Sequence, residues 1–305
     1  MASQEPVAPI AERVPKIETV HGEVCTDDYS WLRQKSDPKV AAYLRAENAY
    51  TDAVLAPTVQ LQELLYEEIL SHIEQSDEEV PSLYRDWLYY SRTEEGKQYP
   101  IYCRKQNSQG ASEEITLDLN EMSKSVPFLS VAAYEVNDAG DILAYSTDTT
   151  GFREYKTQFK NLTSGEILPD TMERTGSVAW AADNKTVFYT VEDHAKRDYR
   201  VYKHRLGSDP ASDELIYEET DELFRVGVSR TKSGGYLVIT SASFTASEVR
   251  YLAAETPDKE WRLVSPRRSM HEYYVEHHGD HFVILTNDKG KNFRVVTAPL
   301  NDPGA

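Results

Sequence analysis

Apolar residues at helical spacing mark two segments near the amino terminus of this 305-residue chain. Asp37 and Pro38 suit the start of the first segment, because an aspartate side chain caps free helix amides and proline lacks the amide hydrogen that a first turn leaves unpaired. Pro57 separates the two segments and would end the first helix. The periodic positions are Val40, Tyr43, Leu44, Tyr50 and Val54 in the first segment, and Leu61, Leu64, Leu65, Ile69 and Ile73 in the second. We therefore predict two amphipathic helices.

From about Val80 the pattern changes to short runs rich in Tyr, Val, Ile and Thr, separated by polar turn clusters. Two such clusters are Asn137-Asp138-Ala139-Gly140 and Lys232-Ser233-Gly234-Gly235. Five segments share one plan, which is a strand, a polar turn and a second strand: LYYSRTEEGKQYPIYCRK, LAYSTDTTGFREYKTQFK, VFYTVEDHAKRDYRVYKH, LVITSASFTASEVRYLAA and FVILTNDKGKNFRVVTAP. This repetition predicts five β-hairpins.

The hairpins recur at a nearly constant interval. A hydroxyl residue near the end of each first strand gives intervals of 55, 44, 50 and 46 residues; these residues are Ser91, Ser146, Thr190, Thr240 and Thr286. Further runs of strand type precede three hairpins (SVAAYEVN, GSVAWAAD, FRVGVSRT) and follow three (NLTSGEIL, DELIYEE, EWRLVS). Such a spacing is typical of four-stranded propeller blades. A sandwich of unrelated hairpins is the alternative.

We therefore predict a mainly β chain, with an amphipathic helical arm over residues 1–78 and a partial β-propeller of about four to five blades over 79–305. The acidic run Asp77-Glu78-Glu79 is predicted to be a solvated linker between them. The last hairpin ends at Leu300, with too few residues after it to complete a blade. Either the ring closes with few blades, or the natural protein continues beyond residue 305.

Charge and cysteine content narrow the range of partners. With 33 basic and 51 acidic residues the net charge is -18, so a phosphate backbone or an anionic membrane surface would be repelled. No apolar stretch is long enough to cross a bilayer, and the amino terminus lacks the pattern of a secretion signal. Cys25 and Cys103, the two cysteines, have no partner at metal-ligand spacing. We expect a cytoplasmic protein that binds neither nucleic acid nor membrane.

Two segments contain residue types that are suited to chemistry, but neither predicts a site. Gly227-Val228-Ser229-Arg230-Thr231 lacks the final glycine of a nucleophile elbow and lies in a strand context. The cluster Glu276-His277-His278-Gly279-Asp280-His281 contains good metal ligands, but on a hairpin turn they would scatter to both faces of the strands. We predict no catalytic, cofactor-binding or metal-binding residue in the chain.

In the stretch HGEVCTDDYSWLRQKSDPKVAAYLRAENAY, an Asp-aromatic-x-Trp-Leu segment precedes a predicted helix that contains Glu-Asn-x-Tyr. This arrangement resembles the amino-terminal motif of the prolyl oligopeptidase family of serine peptidases. The matching residues are Asp28, Tyr29, Trp31, Leu32, Asp37, Pro38, Tyr43, Leu44, Glu47, Asn48 and Tyr50. Matches to oligopeptidase B are TEEGKQYPIYCRK, LDLNEM, YSTDTTGFREY and HEYYVEHHGDHFVILTNDKGKNFRVV.

The resemblance implies a seven-bladed propeller that covers an α/β-hydrolase domain with a Ser, Asp and His triad. The propeller would limit access to short peptides, and cleavage would follow Lys or Arg. Short basic peptides and the hydrolase domain are thus the expected partners, and the 305 residues alone are expected to be inactive. A truncated propeller acting as a peptide-binding or protein-binding scaffold is the alternative.

Overall fold

The computed structural model describes residues 5–304. The chain divides into two compact units, with the boundary between Glu74 and Gln75. Within residues 5–304 no helix is long and apolar enough to span a membrane.

The first unit contains a β-hairpin and two helices. Strand β1 (Lys16–Val20) pairs antiparallel with β2 (Glu23–Asp27). Helix α1 spans Pro38–Leu55 and α2 spans Val59–Ser71, with one 3₁₀ turn at Ala56–Thr58 between them. Both predicted helices are confirmed. The hairpin was not predicted, because its turn at His21 and Gly22, where both residues have positive φ, lacks the usual Asn-Gly signal.

The predicted capping residue begins the first helix. The Asp37 carboxylate accepts a hydrogen bond from the Lys39 amide at 2.8 Å, and Pro38 occupies the first helical position. Trp31 packs edge-on against Tyr43, with ring centroids 6.1 Å apart, and its indole nitrogen donates to the Glu12 carbonyl. The arm motif noted in the sequence therefore makes contacts within the arm itself.

The second unit consists of five antiparallel sheets, each a meander in chain order, which we call blades 1 to 5. Blade 1 contains β3 (Ser82–Tyr84), β4 (Trp87–Arg92), β5 (Ile101–Gln106) and β6 (Glu114–Asp118), followed by the short helix α3 (Leu119–Met122). Blade 2 contains β7 (Ser130–Val136), β8 (Ile142–Asp148), β9 (Lys156–Asn161) and β10 (Ile167–Glu173).

The remaining blades follow the same plan. Blade 3 contains β11 (Thr175–Trp180), β12 (Thr186–Glu192), β13 (Asp198–Arg205) and β14 (Glu214–Glu218). Blade 4 contains β15 (Arg225–Arg230), β16 (Tyr236–Ala242), β17 (Ser247–Ala253) and β18 (Arg262–Ser265). Blade 5 has three strands among the described residues, β19 (Tyr273–His278), β20 (His281–Thr286) and β21 (Arg294–Pro299).

The predicted hairpins are confirmed as the second and third strands of the five blades. The runs predicted to precede them form the first strands of blades 2, 3 and 4, and two of the runs predicted to follow them form the fourth strands of blades 3 and 4. The third such run, NLTSGEIL, was placed too early: it covers the turn after β9, and only Ile167 and Leu168 belong to β10. The acidic run at residues 77–79 corrects one expectation. Although exposed, it is not a free linker, since the Glu79 amide donates to the Ser91 carbonyl and the Thr93 amide donates to the Asp77 carbonyl along strand β4.

The hydrophobic core lies between neighbouring blades. Because successive side chains of a strand point to opposite faces, each sheet contributes to the contact with the blade before it and the blade after it. Four buried clusters result, between blades 1 and 2, 2 and 3, 3 and 4, and 4 and 5. Their largest fully buried members include Leu143, Phe159, Phe188, Leu237, Tyr273 and Phe282. This face-to-face stacking is what places the first strands of the blades side by side.

Candidate functional site

The first strands of blades 1 to 4 line a channel of about 890 Å³. Its walls come from the end of β3, from β7, β11 and β15, and from the turn after β15. Small residues are frequent on these walls, so the backbones lie close to the lumen; they include Ala132, Ala133, Gly176, Ser177, Ala179 and Ser229. A channel of this size can admit a short extended peptide but not a folded domain.

Glu135 is the carboxylate of the channel wall. Solvent inside the channel reaches its side chain, yet protein surrounds it, and this burial raises the pKa of Glu135 to about 7. Its carbonyl oxygen accepts a hydrogen bond from the Trp180 indole at 2.9 Å, which fixes the backbone of β7 against blade 3. Burial makes the carboxyl group easier to protonate. A cationic group bound beside it would favour the ionised carboxylate.

The carboxylate of Asp198 occupies the space that a side chain at Gly176 would need. A Cβ atom at Gly176 would lie 2.0 Å from Asp198 Oδ1. The Thr190 hydroxyl donates to that same oxygen at 2.8 Å, and burial raises the pKa of Asp198. The Ser177 amide donates to Thr190 Oγ1, and the Ser177 hydroxyl oxygen accepts from the Val228 amide of blade 4. A polar chain therefore joins blades 3 and 4 behind the channel wall.

One end of the channel is crossed by an ion-pair cluster centred on Asp138, in the turn after β7. Arg230 of blade 4 donates from Nη1 to Asp138 Oδ1 and from Nη2 to Oδ2, both at 2.9 Å. Arg85 of blade 1 donates from Nη2 to Oδ1 at 2.9 Å, and the Tyr84 hydroxyl donates to Oδ1 at 2.8 Å. We call Tyr84, Arg85, Asp138 and Arg230 the Asp138 hub. It joins three blades through one carboxylate.

The hub keeps Asp138 ionised. Burial by itself would raise the pKa of this carboxyl, but hydrogen bonds from Arg230, Tyr84 and Arg85 outweigh burial and hold the pKa of Asp138 below its ordinary value. The carboxylate and the Arg230 guanidinium are both mostly buried, so solvent screens their attraction less than that of a surface pair.

Blades 3 and 5 attach to the same end. The Ala139 amide, next to Asp138, donates to Asn184 Oδ1 in the corresponding turn of blade 3 at 2.8 Å. In the turn of blade 4, the Lys232 amide donates to Glu276 Oε2, and Ser233 Oγ lies 2.8 Å from His277 Nδ1. Hydrogen bonds at this end therefore connect all five blades.

The opposite ends of the blades carry exposed apolar side chains. Antiparallel strands place the turns between second and third strands at the other end of each sheet from the hub. Phe152 and Phe244 lie in two of these turns, and Leu223 lies in the connection from blade 3 to blade 4; all three are more than two-thirds exposed. Leu223 and Phe244 line a groove of about 620 Å³.

A mostly buried arginine and a buried glutamate fix the backbone at this second end. Arg197 donates from Nη1 to the carbonyls of Asp221 and Phe224 at 3.1 and 3.0 Å, and pairs through Nε with Asp193. Glu219 accepts from the hydroxyls of Ser241 and Tyr217 and from Arg267, and is almost fully buried. Although burial opposes ionisation, these donors lower the pKa of Glu219 to about 2.

The two segments of the sequence with candidate chemical residues lie on strand β15 and on the hairpin between β19 and β20. Ser229 lies within β15 on the channel wall, in an antiparallel sheet and not on a strand-to-helix turn. His277 and His278 end β19 and His281 begins β20, on either side of a tight turn. Among residues 5–304 no group of three or more His, Cys, Asp or Glu side chains is arranged to hold a metal ion.

Sequence reasoning missed the Asp138 hub, although it predicted two of the three turns that meet there. The clusters Asn137-Asp138-Ala139-Gly140 and Lys232-Ser233-Gly234-Gly235 were predicted only as turns. A usable signal was the presence of charged residues at turn positions of successive repeats, since equivalent turns of a propeller converge at one end of its channel. Glu135 and Glu219 carried no such signal, because nothing in their local sequence indicates burial.

Comparison with known proteins identifies the relatives of this chain. Residues 9–305 match the family model described as prolyl oligopeptidase, N-terminal beta-propeller domain. Protease 2 from Moraxella lacunata is 37% identical over 302 residues, covering 96% of this chain and 44% of the relative. Dipeptidyl aminopeptidase BI from Pseudoxanthomonas mexicana is 36% identical, covering 96% of this chain and 43% of the relative.

Solved structures of the same family are similar to this chain. Oligopeptidase B from Leishmania major superposes with a TM-score of 0.89 at 29% identity, covering 98% of this chain and 45% of that protein. Oligopeptidase B from Trypanosoma brucei, solved with covalently bound antipain, gives a TM-score of 0.87 at 32% identity, covering 97% of this chain and 45% of that protein.

The stacked four-stranded blades around a channel define the class of this chain as a partial β-propeller. The chain belongs to the prolyl oligopeptidase family as its N-terminal β-propeller domain, and it is related to oligopeptidase B. It spans less than half the length of the relatives that it matches. The similarity of this chain to serine peptidases therefore extends over their propeller region only.

Proposed function

We propose that this chain is the substrate-gating part of a serine-type oligopeptidase that hydrolyses short peptides. The observation that carries the proposal is the channel of about 890 Å³ along the first strands of four blades, in a chain whose relatives are peptidases of more than twice its length. A channel with walls of small residues and inter-blade ties excludes folded proteins by size and leaves room for extended peptides. The propeller thus selects substrates, while chemistry belongs to a hydrolase domain.

The proposed partner of the blades is an α/β-hydrolase domain on the end that carries Phe152, Leu223 and Phe244. Large exposed apolar side chains are typical of interaction surfaces. A domain of this kind would cover them, and the remaining length of the relatives is sufficient to supply one. Arg197 and Glu219 support the proposal because they fix the connecting segments at this end in a single arrangement.

A preference for Lys or Arg in the substrate is the finer part of the proposal. A net charge of -18 attracts cationic peptides, and the Glu135 carboxyl inside the channel would gain from a cationic neighbour. One relative is named a dipeptidyl aminopeptidase, so cleavage habits differ among these proteins. The specificity of this protein therefore needs its own measurement.

We propose that the 305 residues alone have no peptidase activity. Hydrolysis by this class of enzyme needs a serine on a strand-to-helix elbow with a histidine and a carboxylate in reach. The chain is proposed to act in the cytoplasm, a location supported by two free cysteines and a composition without features of secretion.

The decisive experiment begins with the intact mass of the natively expressed protein. A mass near twice 34.7 kDa, together with labelling by a serine-reactive phosphonate and cleavage of short peptides after Arg or Lys, would support the proposal. The matched control is the 305-residue chain expressed alone, for which no labelling is expected. A native mass of 34.7 kDa without labelling would instead favour a binding scaffold.

Substrate length gives the test of gating. A series of peptides of increasing length should share one cleavage site. Their kcat/KM should fall sharply once a peptide is too long to fit in the channel and the proposed active site. Equal kcat/KM for a short peptide and for the same site within a folded protein would contradict a gating role.

A further inference from the structure

A side pocket adjoins the channel between blades 1 and 2. It has a volume of about 210 Å³ and shares Tyr84, Glu135 and Val136 with the channel wall. Three tyrosine rings line it, from Tyr84 in β3, Tyr89 in β4 and Tyr134 in β7. The ring centroids of Tyr84 and Tyr89 are 6.5 Å apart. We call this cavity the tyrosine pocket, and its volume is suited to one long side chain.

Contacts behind the pocket hold two of its rings in place. The Tyr84 hydroxyl donates to Asp138 Oδ1 at 2.8 Å. The Tyr134 ring stacks on Tyr102 with centroids 5.1 Å apart, and its hydroxyl lies 2.5 Å from Thr116 Oγ1. Because these ring orientations are set before a ligand enters, binding in the pocket would cost little conformational freedom.

Glu135 gives the pocket a carboxylate without an ionic partner. Within residues 5–304 no cationic side chain pairs with this carboxylate, and burial alone accounts for the raised pKa of Glu135. Arg85 and Arg230 of the channel wall both bind Asp138 instead, and Lys232 lies in the exposed turn after β15. A cation that enters the pocket would therefore meet an uncompensated negative charge.

Two of the three tyrosine rings have faces that no cation covers. Arg85 lies over the Tyr84 ring, 5.7 Å from its centroid, whereas no Lys or Arg side chain among residues 5–304 lies over Tyr89 or Tyr134. The electron-rich face of a tyrosine attracts cations, and a planar guanidinium can stack on it while its N–H groups donate to a carboxylate. The pocket thus combines the two groups that bind an arginine side chain.

We propose that the tyrosine pocket binds one arginine side chain of a peptide in the channel, with the guanidinium against the Tyr89 and Tyr134 rings and paired with Glu135. The pocket is a recognition site in the propeller wall, separate from the residue at which a peptide would be cleaved. Its part in selecting substrates rests on the proposed function, whereas arginine binding depends on the pocket alone.

Calorimetric titration of the 305-residue chain tests the pocket without any need for peptidase activity. The probe is acetyl-Ala-Ala-Arg-Ala-Ala-amide, whose blocked ends leave the guanidinium as its only charge. The matched peptide carries citrulline, which has nearly the shape of arginine but is neutral. The arginine peptide should bind about tenfold more tightly, because citrulline forms neither the ion pair nor the cation–π contacts.

Glu135→Gln should reduce the preference for arginine over citrulline to about threefold or less, since only the ring contacts then favour the cation. Tyr89→Leu should reduce it to a similar degree by removing one aromatic face. The matched control is Glu214→Gln, which removes an exposed carboxylate paired with Lys203 on the outermost strand of blade 3 and should retain the full preference.

The pH dependence gives a second readout of the same site. Because the pKa of Glu135 is about 7 without a bound cation, the arginine peptide should bind more tightly as the pH rises from about 5.5 to about 8, with release of a proton. In Glu135→Gln the affinity should not change over this range.

Equal binding of the two peptides by the unmutated chain, or a full arginine preference in Glu135→Gln, would overturn the pocket. These results are independent of hydrolysis. Peptidase activity without an arginine preference in the chain would remove the pocket and leave the proposed function standing. An arginine preference without peptidase activity would do the reverse.

Discussion

The apolar residues of the helical arm and those of the blades differ in how far they are buried. In the blades every contact between neighbours encloses a cluster of buried side chains, whereas Val40 is the one buried apolar residue among residues 5–74. The leucines of α2 that define its helical stripe are all more than 45% exposed; they are Leu61, Leu64 and Leu65. A regular apolar pattern in the sequence thus accompanies two very different degrees of burial.

The difference follows from how each element is covered. A blade is flanked on two faces, so its sheet is enclosed once the neighbouring blades form. A helix buries only the side chains that pack against another surface. The hydrogen bonds within the helix do not bury any of its apolar side chains. Within the arm, the described residues make local contacts such as the Asp37 cap and the Trp31–Tyr43 pair, whereas the blades enclose packed cores.

The largest expected effect comes from truncating the core between blades 3 and 4. Phe188→Ala should lower the free energy of unfolding by about 3–5 kcal/mol, because Phe188 is fully buried and packs edge-on against Trp261. The matched substitution in the arm, Leu64→Ala, should change it by less than about 0.5 kcal/mol. Denaturant unfolding of both variants measures the contrast, and equal losses would contradict it.

Thiol reactivity compares the two units directly, since each contains one cysteine. Cys25 in β2 is exposed, whereas Cys103 in β5 is buried and burial raises the pKa of its thiol to about 11. At pH 8 a thiol reagent should modify Cys25 at least about 100-fold faster than Cys103 in the folded chain. In denaturant the two rates should become similar. Cys25→Ser identifies the fast site, and a fast phase that survives this change would refute the assignment.

Acid should weaken the blades through Glu219. The pKa of Glu219 is lowered from 4.5 to about 2 in the folded chain, so its ionised form stabilises the fold above pH 4.5. This contribution, on the order of 1–3 kcal/mol, is lost as the pH falls from about 4.5 toward 2. Glu219→Gln should therefore destabilise the chain at pH 7 and differ less from the parent near pH 3.

The control for this titration is Glu218→Gln, which changes the adjacent residue, an exposed carboxylate paired with Arg200. It should leave the pH dependence of the unfolding free energy almost unaltered. The difference in unfolding free energy between the parent and Glu219→Gln should shrink between pH 7 and pH 3. A difference that stays constant would show that the pKa of Glu219 is not shifted.

The smallest effect should come from the arm. Asp37→Ala removes the oxygen that accepts from the Lys39 amide and should cost α1 about 1 kcal/mol, seen as faster hydrogen exchange in its first turn. Asp37→Ser retains a capping oxygen and should exchange nearly as slowly as the parent. The blades should exchange at parent rates in both variants. Faster exchange throughout the blades would mean that the arm and the blades are not independent in this respect.

Much of the fold could be predicted because its signals are local. Helix periodicity, the Asp37-Pro38 start and the interval between hairpins each depend on residues close together in the sequence, so the helices and all five blades were predicted correctly. The β1–β2 hairpin was missed because its turn uses His21 and Gly22 without a recognised dipeptide. The pairing of residues 77–79 with β4 was missed because an acidic run gives no signal of strand pairing.

The candidate site was predictable only in part. The sequence by itself determined the blades, their turns and the excess of negative charge. The tertiary structure decided which turns meet. Asp138 and Arg230 are 92 residues apart, and their bidentate contact depends on the summed rotation from blade 2 to blade 4, which no local pattern encodes. Likewise, the low pKa of Glu219 arises from donors on other segments, because a carboxylate's environment is set by the groups that surround it in space.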